Sequence, residues 1–125
     1  MSRPFFSVII VSLNAGKLID STIRSTLSQT FDDYEIIVKD GISKDDTLAY
    51  VPQNNHIRVY SESDVSLYDA MNQAVSYSCG RYLIFMNCGD VFASDDVLEK
   101  KHQTVVDGEY GMVYGDYRRG GIVRK

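Results

Sequence analysis

Several runs of this chain carry apolar residues without alternation, and the stretches between them carry apolar residues at helical spacing. Ser7 to Leu13 is one continuous β-branched run, the composition of a strand buried on both faces of a parallel sheet. After Asn14-Ala15-Gly16, residues Ile19, Ile23 and Leu27 recur at i, i+4 and i+8, which lays an apolar stripe along a helix covering that sheet. Tyr34 to Lys39 predicts a second strand, Lys44 to Val51 a short helix stopped by Pro52, and Ile57 to Ser61 a third strand. Leu67, Met71, Ala74, Val75 and Ser78 then follow helical spacing, with Gly80 placed as a left-handed helix stop. Arg81 to Met86 predicts a fourth strand. Ser94-Asp95-Asp96 opens a helix with the weaker stripe Val97, Leu98, Lys101 and Val105, and Met112 to Tyr117 predicts a fifth strand. The alternation implies an α/β fold, Rossmann-like, in which helices cover both faces of a mostly parallel sheet with right-handed crossovers. The last residues, from Tyr114 through Gly120-Gly121 to Lys125, read as strand, turn and the start of another strand, so the fold is expected to be truncated.

The 125 residues fit one domain, 1–125, and 44% hydrophobic against 24% charged residues provide a core without a disorder signature. Thirteen basic and 17 acidic side chains leave a net charge of -4, the wrong sign for a phosphate-backbone binder, so no nucleic-acid partner is expected. The apolar runs fall far short of the roughly 18 residues of a membrane span, and no signal-peptide pattern stands at the N-terminus. Cys79 and Cys88 lack a CxxC pair or a histidine at ligand spacing; they read as free thiols of a reducing compartment, and the expected location is cytoplasmic.

In sheets of this kind ligands bind at the carboxyl ends of the strands, near the point where strand order reverses. The first strand runs into Asn14, the second into Asp40-Gly41, the third into Glu62 and Asp64, the fourth into Asn87-Cys88-Gly89-Asp90. Carboxylates gathered on one edge repel unless a cation joins them, which suggests Mg²⁺ or Mn²⁺ with a nucleotide diphosphate. Asp45, Asp46, Asp95 and Asp96 read instead as first-turn helix residues, and His56 and His102 as isolated surface residues. There is no GxxxxGK[ST] loop and no GxGxxG, which removes the main support for a P-loop nucleotidase or a dinucleotide-dependent oxidoreductase. A receiver-like regulatory module would want an acidic pair after the first strand, where Ser12-Leu13-Asn14 stands. A sugar nucleotidyltransferase would want a Gly- and Lys/Arg-rich loop there, of which Asn14-Ala15-Gly16-Lys17 is a poor version. Both remain as alternatives.

The combination of Ser7 to Asn14, Asp40-Gly41-Ile42-Ser43-Lys44-Asp45-Asp46-Thr47, Ser63-Asp64 through Tyr68-Asp69-Ala70-Met71-Asn72, Gly80-Arg81-Tyr82 and Phe85 to Asp90 resembles the nucleotide-binding half of glycosyltransferase family 2, the GT-A fold, in order and spacing from about Ser7 to Asp116. The resemblance implies a three-layer α/β/α sandwich and an inverting, metal-assisted transfer of sugar from a nucleotide-diphosphate donor, UDP-type favoured. The acceptor it implies is a glycan or lipid-linked molecule of bacterial cell-envelope polysaccharide assembly, with peripheral association at the inner membrane as one placement. It implies that Ser12 and Asn14 line the nucleotide pocket and that Asp40 accepts hydrogen bonds from the base, with Ser43 beside it. It further implies that Asp69 and Asn72 face the donor with Asp64 and Arg81 nearby, that Leu67, Met71 and Val75 form the buried stripe of their helix, and that Asp90 binds Mg²⁺ or Mn²⁺ through the donor diphosphate.

Two departures stand out. Where many members carry two adjacent acids, this chain has Gly89-Asp90 after Asn87, an Asn-x-Gly-Asp variant with a single strong metal ligand. No clear catalytic base or acceptor segment follows Asp116, the one late acid, so the catalytic residue is left unassigned and this part is expected to bind donor but turn over poorly.

Overall fold

The computed structural model describes residues 3–106, together with the backbone of 113–114 and 121–124. The elements run β1 (Phe6–Ser12), α1 (Leu18–Leu27), β2 (Tyr34–Asp40), a 3₁₀ turn (Thr47–Tyr50), β3 (Ile57–Ser61), α2 (Leu67–Tyr77), β4 (Tyr82–Asn87), α3 (Val97–Val106), β5 (Val113–Tyr114) and β6 (Gly121–Arg124). The sheet order is β3-β2-β1-β4-β6-β5. β3, β2, β1 and β4 are parallel, whereas β6 pairs antiparallel with both β4 and β5.

Alternation along β1 divides the core into two layers. Phe6, Val8 and Ile10 join Ile36, Val38, Ile84 and Met86 on one face, under Ile19 and Ile23 of α1 and Leu98 and Val105 of α3. Ile9 joins Ile37 and Leu83 on the other face, under Ala74 of α2. The three-layer α/β/α arrangement follows directly from strands that are apolar on both sides. Gln29 joins the two helices of the first face: its amide donates to Ser94 O at 2.7 Å and its carbonyl accepts from Leu98 N at 3.0 Å at the start of α3.

Four local expectations are corrected. The segment from Lys44 to Val51 makes only the 3₁₀ turn, because Thr47 is held by Asp45, whose carboxylate takes both its backbone N–H and its hydroxyl. The buried side of α2 is Ala70 and Ala74, not Leu67, which is exposed; small residues let the helix lie close on β1 and β2. Gly80 is not a left-handed stop, since only Gly16 and Gly89 have positive φ among the described glycines. It is needed for close approach: a Cβ there would lie 2.5 Å from both Ser7 N and Ser7 Oγ. The histidines are not isolated. His56 stacks on Tyr34 at 4.4 Å, and His102 lies against Phe5 and Phe31 at 4.5 and 4.6 Å between ring centroids. Of the predicted fifth strand, Val113–Tyr114 forms and its remaining residues lie outside the described residues, as does Asp116.

The amino-terminal edge of the sheet is pinned by one carboxylate. Glu35 accepts from Ser7 Oγ and Cys79 N, each at 2.5 Å, and pairs with Arg58. Burial pushes its pKa up, but the hydrogen bonds from Ser7, Cys79 and Arg58 and the guanidinium charge outweigh that and hold it below the ordinary 4.5. A depressed carboxylate contributes stability that is full above its unfolded value and is lost as pH falls through the folded one. Glu35→Gln is therefore expected to lower the melting temperature at pH 7 and to shrink the difference from the parent in an acid titration below pH 4.5. Gly80→Ala is expected to cost about 2–3 kcal/mol in urea denaturation, because backbone, not a flexible side-chain tip, must move.

Candidate functional site

The order reverses at β1: β2 and β3 lie to one side and β4 to the other. Between the carboxyl ends of β1 and β4, below the start of α2, lies a crevice of about 210 Å³ lined by Val11, Ser12, Leu13, Asp64, Leu67, Ala70 and Asn87. A smaller cavity of about 120 Å³, lined by Ile9, Val11, Leu67, Met71, Phe85, Met86 and Asn87, lies beside it. The site thus sits at the switch point of the sheet.

Its wall on the β2 side is a hydrogen-bonded frame. Ser12 and Asp40 are register partners, and Ser12 Oγ donates to Asp40 Oδ1 at 2.7 Å. Ser43 donates twice to the same carboxylate, from Oγ to Oδ1 at 2.6 Å and from N to Oδ2 at 2.7 Å. Asn14, left-handed at φ 51°, donates its N–H to Ser43 Oγ at 2.8 Å and accepts from Lys44 N at 2.7 Å. Asp40 is fully buried. It therefore does not offer an open carboxylate to a base; it holds the β1 and β2 exit loops as one wall, with Ser12 and Leu13 facing the crevice.

The β3 side is closed by a residue the sequence reading passed over. Lys39, fully buried at the end of β2, donates from Nζ to Glu62 O at 2.6 Å, Asp64 Oδ2 at 3.0 Å and Asp40 O at 3.4 Å. Its signal was a lysine directly after the apolar run Ile36-Ile37-Val38, next to Asp40. Gly41 gives Asp64 its place, since a Cβ there would meet Asp64 Oδ2 at 2.9 Å.

The loop after β4 turns on Gly89, whose φ of 99° disfavours any side chain, which explains why a glycine precedes Asp90. Gly89 N donates to Thr22 Oγ1 at 2.8 Å, fastening the loop to α1. Asp90 Oδ2 accepts from Asn87 N at 2.9 Å, leaving Oδ1 as the oxygen open to a further partner. Cys88 lies between the acids: burial first, then the charges of Asp40 and Asp90, push its thiol up to about 11.

The exits of β1, β2, β3 and β4 thus bring together Ser12, Asn14, Asp40, Ser43, Asp64 and Asp90. Three residues of the expected set do not converge. Arg81 precedes β4 at the amino-terminal edge, its N–H bonded to Pro4 O at 3.1 Å, roughly 20 Å of strand from Asn87. Asp69 closes the start of α2: Oδ2 accepts from Val65 N at 3.0 Å while its own N–H donates to Ser66 Oγ at 3.0 Å, a reciprocal cap. Asn72 is exposed and lies two residues, about 200° of helix turn, from the crevice-lining Ala70. The metal argument also changes, because each exit carboxylate already has protein partners. Among the described residues no group of three His, Cys, Asp or Glu is placed to hold an ion. What fits is a cation held by Asp90 and mainly by ligand oxygens, as Mg²⁺ is with phosphates.

Against known proteins, the sequence pattern of glycosyl transferase family 2 matches residues 7–125. The chain belongs to glycosyl transferase family 2. It is 31% identical over 122 residues to the PGL/p-HBAD biosynthesis glycosyltransferase of Mycobacterium tuberculosis, covering 93% of this chain and 48% of the relative. It is 29% identical over 114 residues to the UDP-Glc:alpha-D-GlcNAc-diphosphoundecaprenol beta-1,3-glucosyltransferase WfgD of Escherichia coli, covering 89% of this chain and 45% of that one. The chain spans about half the length of these relatives. The structure superposes with a TM-score of 0.78 and 21% identity on the mannosyltransferase PcManGT of Pyrobaculum calidifontis in complex with GDP-Man and Mn²⁺, covering 90% of this chain and 35% of that one. The fold is thus GT-A, present in part. A receiver-like module would continue its parallel ladder beyond β4, where β6 is antiparallel.

The raised Cys88 thiol gives a direct check on the site's electrostatics. With Cys79 exposed and Cys88 half-buried, iodoacetamide at pH 7.5 is expected to alkylate Cys79 and to leave Cys88 at least about tenfold slower by peptide mass spectrometry.

Proposed function

We propose that the crevice at the β1–β4 switch point is the donor site of a glycosyltransferase that takes sugar from a nucleotide diphosphate, UDP-type favoured, and that residues 1–125 are its donor-binding part. The carrying observation is the convergence of Ser12, held by the Asp40–Ser43 frame behind it, with Asp64 and Asn87 on one cavity at the sheet reversal, and Asp90 in the loop that follows Asn87. The relative named for UDP-Glc and the neighbour holding GDP-Man and Mn²⁺ support the ligand class. The frame gives the nucleoside a rigid wall of Ser12 and Leu13, and Asp64 and Asn87 offer polar partners at its edge.

The transfer proposed is inverting. An acceptor oxygen attacks the anomeric carbon opposite the diphosphate, its proton passes to a carboxylate base, and the sugar–phosphate bond breaks to release the nucleoside diphosphate. The base is left unassigned; Asp116 is a late acid whose place near the end of the expected fifth strand suits either donor or acceptor contact. An edge bearing Asp40, Asp64 and Asp90 repels a diphosphate. A divalent cation at Asp90, Mg²⁺ or Mn²⁺, would offset that repulsion where the diphosphate binds and stabilise charge on the leaving group when bound.

The acceptor proposed is a glycan or lipid-linked molecule of cell-envelope polysaccharide assembly. Its support is that Leu13 and Leu67, which line the crevice, are exposed, as are Ile42, Val65 and Tyr68 on the adjoining β2 exit and around the start of α2; exposed apolar residues gathered near one site mark a binding surface. Among the described residues no helix is long and apolar enough to cross a membrane. The proposed location is the cytoplasm, with peripheral association at the inner face of the membrane as one placement.

Calorimetric titration of UDP, GDP and dTDP with and without Mn²⁺ tests the donor site. Binding of at least one nucleotide, strengthened about tenfold or more by Mn²⁺, is expected. Asp90→Ala is expected to abolish that metal enhancement, and Asp40→Ala to weaken binding even without metal by releasing the wall. No metal-dependent binding of any of the three would remove the reading.

A further inference from the structure

The crevice owes its β3 side to a group that no established role requires. A lysine ammonium sealed from water is costly unless fully satisfied, and Lys39 is fully buried. Its Nζ makes three hydrogen bonds, which exhausts its three protons: one to the backbone of its own strand exit at Asp40, one to the backbone of the β3 exit at Glu62, and one to the Asp64 carboxylate. Glu62 N in turn donates to Asp40 O at 3.0 Å, and Gly41 N to Ser12 O at 2.9 Å. The ammonium therefore sits at the knot where the β2 and β3 exits meet, beneath a side chain that lines the cavity.

We infer that Lys39 is a positioning residue of the crevice: its buried ammonium locks the β2 and β3 exits together and fixes Asp64 against the crevice wall with one oxygen tied and the other left for ligand. The inference rests on the donor-site reading for its ligand, but not for the clamp. It also gives the edge a charge role, since one of the exit carboxylates is neutralised from inside the protein. An anionic ligand then meets less repulsion than the acidic composition suggests, and the cation at Asp90 has correspondingly less to offset.

The test uses Lys39→Met, which keeps length and removes charge, Asp64→Asn, and the double variant. Without nucleotide, amide hydrogen exchange is followed at Glu62 and Gly41, with Ile9 and Ile37 in the strand interiors as reference. Lys39→Met is expected to speed exchange at Glu62 about tenfold or more and to leave the interior amides within about twofold. With UDP and Mn²⁺, at a temperature where circular dichroism shows each variant folded, both single variants are expected to weaken binding about tenfold. The double variant is expected to be no weaker than either, because the two side chains act as one unit. A purely structural lysine would lower the melting temperature and leave the affinity of the folded protein unchanged. Parental exchange at Glu62 overturns the clamp whether or not nucleotide binds. Parental affinity in folded Lys39→Met, or losses that add in the double variant, overturns the positioning of Asp64. If Lys39→Met does not fold, Lys39→Gln takes its place in the exchange comparison, and Asp64→Asn, which retains the ammonium, carries the affinity readout. Failure of the parent chain to bind any nucleotide counts against the donor-site reading, and the exchange comparison still decides the clamp.

Discussion

A carboxylate with no exposed surface must find its hydrogen bonds inside the protein, and at Asp40 that requirement organises the site. The parallel register puts Ser12 beside it on β1, so the first partner follows from strand pairing alone. The others come from Ser43, three residues on, which can reach back only because Ile42 adopts a positive φ of 64°. Buried and unpaired, the carboxylate would cost several kcal/mol. Paired three times, it makes two surface loops into one rigid wall. Loops ordinarily move more than the elements they join, and a site built from strand exits needs such a device.

The same accounting at the other exits explains why the acidic edge is stable on its own. Asp64 is answered by Lys39, Asp90 by the Asn87 backbone N–H, Asp45 by Thr47 and Asp69 by the Val65 N–H and the Gln73 side-chain amide. Repulsion among carboxylates therefore supplies no argument for a resident metal. A diphosphate is itself an anion, and Asp90, satisfied by the neutral Asn87 N–H, keeps its negative charge. On the proposed donor-site reading, a cation would serve the complex rather than the free protein, and metal and nucleotide would enter as one unit.

Strand positions were legible because burial on both faces leaves runs such as Val8-Ile9-Ile10-Val11 that nothing else produces; β3 matches its expected span to the residue, and the other complete strands differ by one or two. The residues of the frame were legible too, since Ser12, Asn14, Asp40 and Ser43 stand at strand exits. What could not be read was direction. Asp69 and Asn72 share a motif with crevice residues, yet helix geometry turns Asn72 from Ala70, and the reciprocal cap draws Asp69 to Val65. Arg81 stands in a motif that spans the length of a strand, so nearness in sequence to β4 put it at the wrong end. Lys39 was missed because a charge at the end of an apolar run, next to Asp40, reads as a strand terminus until the three acceptors around it are known. Gly80 shows the same limit: its role is set by Ser7, distant in sequence, and not by the helix before it.

The single acid of the Asn-x-Gly-Asp loop has a physical reason in the backbone. Gly89 holds φ at 99° and gives its N–H to Thr22 of α1, so a second acid there would force a side chain into a conformation that L residues rarely adopt. The loop has a tight turn fastened to α1 where a second metal ligand would stand. That exchange leaves Asp90 with one oxygen spent on the turn and one free, and it shifts the coordination of any cation toward ligand oxygens. On the proposed reading, the geometry of the turn, more than the count of acids, would tie metal binding at this edge to the presence of a diphosphate.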